Sequence, residues 1–260
     1  PGDEILLLAP HWPLIRGIAL SHAVIPKEAP YSGVLAADPG ADRVALLQSR
    51  ITPRTQAIYA CTPNNPDGHV YDQRDIDAIA EVAERHGLWV LADEVYENYI
   101  YATKPHISLA THPALKKRTV SVYSFSKSHG MAGYRIGYVV GPEGPMKAIR
   151  KMVNHTVYNI PHAIQLIALD ALSPTNTFVN TAKVRYDAAR RQVHEGLKLE
   201  TRLPDGGAYF FLRLGETEDD AYRWLDALAT RGVLMAPGAA FGESYAGCAR
   251  LCFTSVDKDT

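Results

Sequence analysis

Thr119-Val-Ser-Val-Tyr-Ser-Phe-Ser-Lys127, followed after two residues by Gly130-Met-Ala-Gly-Tyr-Arg135-Ile-Gly137, is the stretch from which the fold is read. Its β-branched, alternating first half predicts a buried strand, which delivers Ser124, Ser126 and Lys127 into a glycine-containing turn. Arg135 stands eight residues after the lysine, just ahead of a second apolar run, Ile136–Val140. A lysine held at a strand end can form an imine with an aldehyde, and hydroxyls beside an arginine can hold a phosphate. A solvated lysine and a surface arginine around an ordinary loop fit this segment equally well, so the choice rests on its surroundings.

On its N-terminal side, strand-like and helix-like segments alternate. Strands are predicted at Ile5–Ala9, Ala23–Pro26, Gln56–Cys61 and Leu88–Ala92, and helices at Leu14–Ser21, Asp42–Arg50 and Asp72–His86. In the last helix Ile76, Ile79, Ala80 and Ala83 share a face, while Asp75, Asp77, Glu81 and Arg85 are expected to face away. Leu88–Ala92 is apolar throughout, as expected when both faces of a parallel sheet are covered. The alternation predicts an α/β fold, a three-layer α/β/α large domain with a mostly parallel sheet. Ligands of such sheets bind beyond the carboxyl ends of the strands, where Asn65, Asp93 and Lys127 fall.

From Pro145 the character changes. Helices are predicted at Met146–Thr156, Pro161–Leu172 and Phe178–Leu199, then a strand at Ala208–Leu214 and a helix at Asp219–Arg231. A short strand near Val233–Ala236 and a final one at Arg250–Ser255 complete a smaller C-terminal α+β domain. The division is placed at 1–177 and 178–260, with the long helix joining the two.

The chain's 260 residues, 47% hydrophobic and 21% charged, suffice for one large domain or two modest ones. A net charge of −1 with interspersed signs gives no electrostatic basis for binding nucleic acid or an anionic membrane. The longest apolar runs are strand-length and too short to span a bilayer. Cys61, Cys248 and Cys252 form no CxxC pair, so reduced thiols in a cytoplasmic protein are expected, with no disulfide framework and no metal site. Pro1-Gly-Asp-Glu-Ile5 opens on a turn feeding a strand and Asp257-Lys-Asp-Thr260 follows one, so the sequence reads as an internal piece of a longer protein.

Three further motifs bear on the lysine. Cys61-Thr-Pro-Asn-Asn65-Pro66-Asp-Gly68 suits a plain turn, and equally Asn65 could present its amide to a ligand oxygen. Ala92-Asp93-Glu94-Val95-Tyr96 ends the most apolar strand. Asp93 is there either a turn or capping residue or a carboxylate that pairs with a protonated pyridine nitrogen, keeping such a ring an electron sink. Tyr96 is spaced to reach a phenolic oxygen of the same ring. In Pro10-His11-Trp12-Pro13, Trp12 either packs in the core or stacks on a flat heteroaromatic ring, a contact worth roughly 0.5–1.5 kcal/mol beyond its buried area. Pyridoxal 5'-phosphate is the cofactor that carries both an aldehyde and a phosphate.

Along essentially its whole length the chain resembles the class I/II aminotransferases, fold-type I pyridoxal-phosphate enzymes of the aspartate-aminotransferase kind. The matching motifs run in order: Pro1-Gly-Asp-Glu, Pro10-His-Trp-Pro, Asn64-Asn-Pro-Asp-Gly, Asp93-Glu-Val-Tyr, Ser124-Phe-Ser-Lys and Gly133-Tyr-Arg-Ile-Gly. They continue with Pro204-Asp-Gly-Gly-Ala-Tyr-Phe, Pro237-Gly-Ala-Ala-Phe-Gly and Arg250-Leu-Cys-Phe. Any one of these is weak, but their collinearity is specific.

The resemblance implies that Lys127 forms the aldimine with the cofactor and later shuttles a proton, and that Asp93 pairs with the pyridinium. Asn65 and Tyr96 would contact the phenolic oxygen, Ser124, Arg135 and more weakly Ser126 the phosphate, and Trp12 the ring face. Arg250, which alone reads as an exposed strand arginine, would bind the substrate α-carboxylate, a task suited to a planar guanidinium, with Asn65 and Trp12 beside it. The implied partners are an amino acid and a 2-keto acid, and the implied assembly is a homodimer. Two positions depart from the pattern: Asp67 stands where Thr is usual, and His11 replaces Thr or Ser and is expected to face solvent or pack. The family's N-terminal part, with a phosphate-binding turn, dimer contacts and part of the pocket, has no counterpart in these residues.

The implied reaction is transamination, in which the freed Lys127 amine moves a proton from the substrate Cα to the cofactor. A lysine acting as base needs a lowered pKa, which burial and Arg135 would promote. The same constellation serves lyases and synthases acting at Cα, and aminotransferase-like domains also occur as sensor halves of transcription regulators. Ser124-Phe-Ser-Lys127 also matches the S-x-x-K of penicillin-binding acyl-transferases, but the S-D-N and K-T-G partners are absent and the serine ends a strand.

Overall fold

Six strands form the main sheet of the computed structural model, which describes residues 1–101 and 105–255. They are β1 (Glu4–Ala9), β2 (Ile25–Pro30), β3 (Thr55–Cys61), β4 (Trp89–Asp93), β5 (Thr119–Ser124) and β6 (Gly137–Val140). Their order is β2-β1-β3-β4-β5-β6, parallel throughout except that β6 runs against β5. The α/β class and the mostly parallel sheet are therefore as predicted. The terminal Asp257-Lys-Asp-Thr260 lies outside the described residues.

Between the strands lie α1 (Pro13–Ser21), α2 (Tyr31–Ala37), α3 (Arg43–Gln48) and α4 (Gln73–His86). Side chains alternate across a strand, so one strand can serve two cores. Leu6 and Leu8, Ile58 and Ala60, and Val90 and Ala92 face Leu47 of α3 and Ile76, Ile79 and Ala83 of α4. Ile5 and Leu7, with Tyr59 and Cys61, turn the other way against Ile15 and Ala19 of α1. All of β1 is consequently buried.

β2 begins later than the predicted Ala23–Pro26. Ala23 takes φ 55°, a turn conformation, and pairing with β1 then runs from Ile25 to Pro30. Lys27 and Glu28 hide this strand in the sequence, and its position at the sheet edge tolerates Pro26 and Pro30, which lack a donor for a second neighbour. The short α2, which follows Pro30 directly, carries no periodic signal long enough to predict.

α4 begins at a reciprocal capping box of Asp72 and Asp75 and stops at Gly87, whose φ of 68° favours glycine. Asp75 does not face away. It is buried, and its carboxylate accepts from Arg43 Nε (2.8 Å), Tyr31 Oη (3.0 Å) and the Asp72 N–H (3.0 Å), with His69 Nε2 at 3.2 Å. Burial works to raise its pKa, but His69, the Asp72 amide and Arg43 outweigh that and hold the carboxyl well below the usual range. Its stabilising contribution is thus present at neutral pH and is lost as acid titrates it below about pH 4. Asp75→Ala leaves Arg43 without its buried partner and is expected to destabilise by about 3–5 kcal/mol. Urea denaturation at pH 7 measures this, and the wild-type advantage should shrink as the pH is lowered.

After β5 come α5 (Phe125–Ser128), α6 (Glu143–Thr156), α7 (His162–Ala171) and α8 (Phe178–Gly196). A second sheet combines β7 (Tyr209–Arg213), β8 (Ala236–Pro237) and β9 (Cys248–Cys252) in the antiparallel order β7-β9-β8, with α9 (Glu218–Ala229) between β7 and β8. β8 starts three residues after the predicted Val233, because Val233 and Leu234 are exposed and unpaired with β9. β9 is shifted toward Cys248 by its register with β7, which sets Arg250 opposite Phe211. The second sheet is tied to the first near Gly68, where the Gly206 N–H donates to the Gly68 carbonyl at 3.0 Å. A Cβ on Gly68 would come within 2.5 Å of the Gly206 carbonyl oxygen, and its φ of 67° also favours glycine. Among the described residues no helix is long and apolar enough to cross a membrane, and no cluster of His, Cys, Asp and Glu could hold a metal ion.

Candidate active site

Parallel register brings the strand ends level: Cys61 lies opposite Asp93, and Asp93 opposite Val122. The loops leaving β1, β3, β4 and β5 therefore open on one side, and β9 of the second sheet closes over them. Between them is a cleft of about 460 Å³, lined by Trp12, Asn65, Asp93, Tyr96, Ser124, Ser126, Lys127, Arg135 and Arg250. Every site residue predicted from the sequence thus reaches one cavity. Cys61, Val95, Val122, Ala132 and Tyr209 complete its wall.

Asp93 ends β4 on the same sheet face as Leu91, Tyr59 and Cys61. Its Oδ2 accepts from the Tyr59 hydroxyl at 2.6 Å, and Oδ1 receives a longer bond of 3.4 Å from the Val95 amide. Burial raises its pKa, opposed by Tyr59, the Val95 amide and the Lys127 charge. A carboxylate in that condition is stabilised by a further cation in the cleft.

Asn65 and Arg250 lie far apart in sequence but meet here. Asn65 Oδ1 accepts from Arg250 Nη1 at 2.9 Å, which leaves the amide Nδ2 as the donor available to a ligand oxygen. The guanidinium of Arg250 lies 4.2 Å over the Tyr209 ring and 5.0 Å from the Phe241 ring, so its faces are backed by aromatics while its edge is open to planar hydrogen bonding. Tyr96 is buried, with its hydroxyl 2.9 Å from that of Tyr209, and burial pushes its phenol well above its ordinary pKa.

On the opposite side, Ser124 caps α5. Its Oγ accepts from the Ser126 amide at 3.2 Å, which leaves its own proton free to donate. Arg135 adopts φ 52°, and its Nη1 donates to the Ala132 carbonyl at 2.7 Å. Lys127, the third residue of α5, is exposed. The burial expected for it is not found, because α5 is a single turn at the mouth of the cleft. Lys127, Arg135 and Arg250 against the single carboxylate of Asp93 make the lining net cationic, which suits an anionic ligand.

Trp12 both lines the cleft and packs against the core of Ile5, Leu7, Tyr59 and Cys61. His11 does not face solvent. It is buried, with Nδ1 3.0 Å from the Trp12 carbonyl and Nε2 3.3 Å from Glu28 Oε1. Glu28 Oε2 in turn accepts from the Glu243 amide at 2.9 Å, so His11 and Glu28 fasten the Trp12 loop to the segment ahead of β9. Asp67 accepts from Asn64 Nδ2 (2.8 Å), the His69 amide (3.1 Å) and the Ser32 hydroxyl, which builds the turn that presents Asn65.

Sequence reasoning missed Tyr59 and the individual part of Tyr209. The alternation of Gln56–Cys61 offered the signal for Tyr59, since it sets Tyr59 and Cys61 on one face beside the end of β4. Tyr209 lay within a matched motif, but its neighbours come from Tyr96, 113 positions away.

The sequence model of the family described as aminotransferase class I and II matches residues 1–260. Among curated relatives, the aspartate aminotransferase of Musicola paradisiaca is 33% identical over 272 residues, covering 98% of this chain and 65% of that protein. The arginine–pyruvate transaminase AruH of Pseudomonas aeruginosa is 33% identical over 258 residues, covering 96% of this chain and 64% of that protein. Among solved structures, the aromatic aminotransferase from Pyrococcus horikoshii OT3 superposes with a TM-score of 0.90 at 28% identity, over 98% of this chain and 69% of that one. The aspartate aminotransferase from Thermus thermophilus with maleate gives 0.89 at 28% identity, over 98% and 66%. The chain thus spans somewhat less than two thirds of the length of the curated relatives named here. With its strand order, its cleft and its full-length family match in agreement, the chain belongs to the class I and II aminotransferases.

Proposed function

We propose that these residues form the larger part of a pyridoxal-phosphate-dependent aminotransferase that moves an amino group between an amino acid and a 2-keto acid. The observation that carries the reading is the convergence of Lys127, Asp93, Asn65, Tyr96, Ser124, Ser126, Arg135, Trp12 and Arg250 on one cleft. The donor set fits the cofactor edge by edge. A half-buried carboxylate that calls for a cation suits the pyridine nitrogen, hydroxyls and Arg135 suit a phosphate, and Trp12 offers a flat wall.

Bound there, pyridoxal phosphate supplies an aldehyde and a protonated ring that accepts electrons from the substrate Cα. Asp93 keeps the proton on the ring nitrogen. Asn65 Nδ2 and the Tyr96 hydroxyl donate toward the phenolic oxygen, while Ser124, Ser126 and Arg135 anchor the phosphate. Arg250, held edge-on by Asn65, binds the α-carboxylate and so orients the Cα–H toward Lys127. Lys127 provides the amine that holds the aldehyde and carries the proton away from Cα. Residues 1–177 supply the cofactor side of the cleft, and residues 178–260 contribute Arg250 and Tyr209.

Spectral titration of the full-length protein, loaded with cofactor, against a panel of amino acids tests the reading. At least one amino acid should convert the visible band to that of the aminated cofactor and release its 2-keto acid. No conversion with any of them would remove the transaminase reading and leave a lyase or a sensor.

A further inference from the structure

We propose that Tyr209 is a positioning residue that joins recognition of the substrate carboxylate to the phenolic edge of the cofactor, an inference that rests on the function proposed above. Two contacts made by one side chain carry it. The Tyr209 hydroxyl lies 2.9 Å from the Tyr96 hydroxyl, the rings meeting edge to face at 5.9 Å and 81°. The face of the Tyr209 ring lies 4.2 Å beneath the Arg250 guanidinium. β7 and β9 impose this second contact: Arg250 pairs with Phe211, which makes Tyr209 its diagonal neighbour on the same face.

Each phenol has one proton to donate. If Tyr96 gives its proton to the cofactor's phenolic oxygen, the proton between the two tyrosines has to come from Tyr209. Tyr209 then polarises Tyr96 and strengthens its donation, in a cleft where burial already disfavours ionisation of Tyr96. The ring meanwhile fixes the plane of Arg250 by a cation–π contact, and Asn65 fixes its edge. Displacement of Arg250 by a carboxylate would therefore be felt at Tyr96 through a single side chain. The charged and titratable groups that share this cleft are Cys61, Asp93, Lys127, Arg135 and Arg250.

Two substitutions in the full-length, cofactor-loaded protein separate the contacts. A donor to the phenolic oxygen competes with the proton on the lysine-bound cofactor for that oxygen, so weakening the donor raises the pH at which the proton is lost. Tyr209→Phe keeps the ring and removes the hydroxyl. It should raise the pH midpoint of the visible spectrum by roughly half to one pH unit, with a smaller change in KM for the amino acid than Tyr209→Leu gives. Tyr209→Leu removes both contacts and should add a rise in KM of roughly 3- to 30-fold, by weakening the hold on Arg250. A purely structural tyrosine would shift neither the midpoint in the Phe variant nor KM selectively in the Leu variant. An unchanged midpoint in Tyr209→Phe overturns the proposal, and the Phe variant keeps that test open should the Leu variant fold poorly. A wild-type protein that shows no cofactor band or no amino-acid conversion would instead overturn the underlying function.

Discussion

Replacing Lys127 by alanine is expected to abolish both the visible absorbance of the lysine-bound cofactor and the half-reaction with an amino acid. On the function proposed above, the amine at this position would have two tasks that no neighbour could assume: holding the aldehyde covalently and moving the Cα proton. Positioned acid–base groups alone contribute about 10²- to 10⁴-fold, so the combined loss should be at least in the upper part of that range. Lys127 also has an electrostatic role, because its charge eases the ionisation of the half-buried Asp93. Lys127→Arg separates the two, since a guanidinium keeps the charge but is neither a base nor a nucleophile near neutral pH. The Arg variant should bind cofactor more tightly than the Ala variant, as read by equilibrium dialysis, and yet remain inactive. Substantial turnover in either variant would remove Lys127 from the chemistry.

The strands that frame this cleft were legible because β1, β3 and β4 pack side chains into cores on both faces of the sheet. Ile5–Ala9, Gln56–Cys61 and Leu88–Ala92 read as apolar runs, and the loops beyond their carboxyl ends contain the functional side chains. The hidden part is equally physical. β2 sits at an edge, so it carries Lys27, Glu28 and two prolines and resembles a loop. Asp75 reads as a surface charge by helical period, and only the approach of Arg43, His69 and Tyr31 from other segments makes it a buried one. In the cleft, composition and spacing nominate residues but not their pairings. Asn65 with Arg250 spans 185 positions and Tyr96 with Tyr209 spans 113, and these contacts decide which face of each side chain remains for a ligand.

Asp93→Asn should have opposite effects on the cofactor-free and cofactor-bound protein. Burial lifts the Asp93 carboxyl above its ordinary range, so its proton is held more tightly in the folded state than in the unfolded chain. Its favourable contribution to folding is then complete below the ordinary carboxylate pKa of about 4 and is lost as the pH rises through the folded value. Toward neutral pH, ionisation of this carboxylate therefore works against folding of the cofactor-free protein. Asparagine accepts the Tyr59 hydrogen bond without that charge, so cofactor-free Asp93→Asn should melt no lower than the wild type at pH 7, with any advantage vanishing toward pH 4. On the function proposed above, cofactor should reverse the order, because a protonated ring nitrogen would be the cation that the carboxylate lacks, and an amide could not hold that proton in place. The stabilisation gained on adding cofactor should therefore be smaller in the variant, and turnover should fall by about 10²- to 10³-fold, the scale on which a preorganised electrostatic partner acts. Tyr59→Phe, which removes the hydrogen bond to Asp93, should lower turnover by no more than about tenfold. Melting curves with and without cofactor, beside steady-state rates, read all of these effects. A variant whose cofactor-free form is strongly destabilised while its turnover is retained would show that Asp93 serves the fold and not the ring.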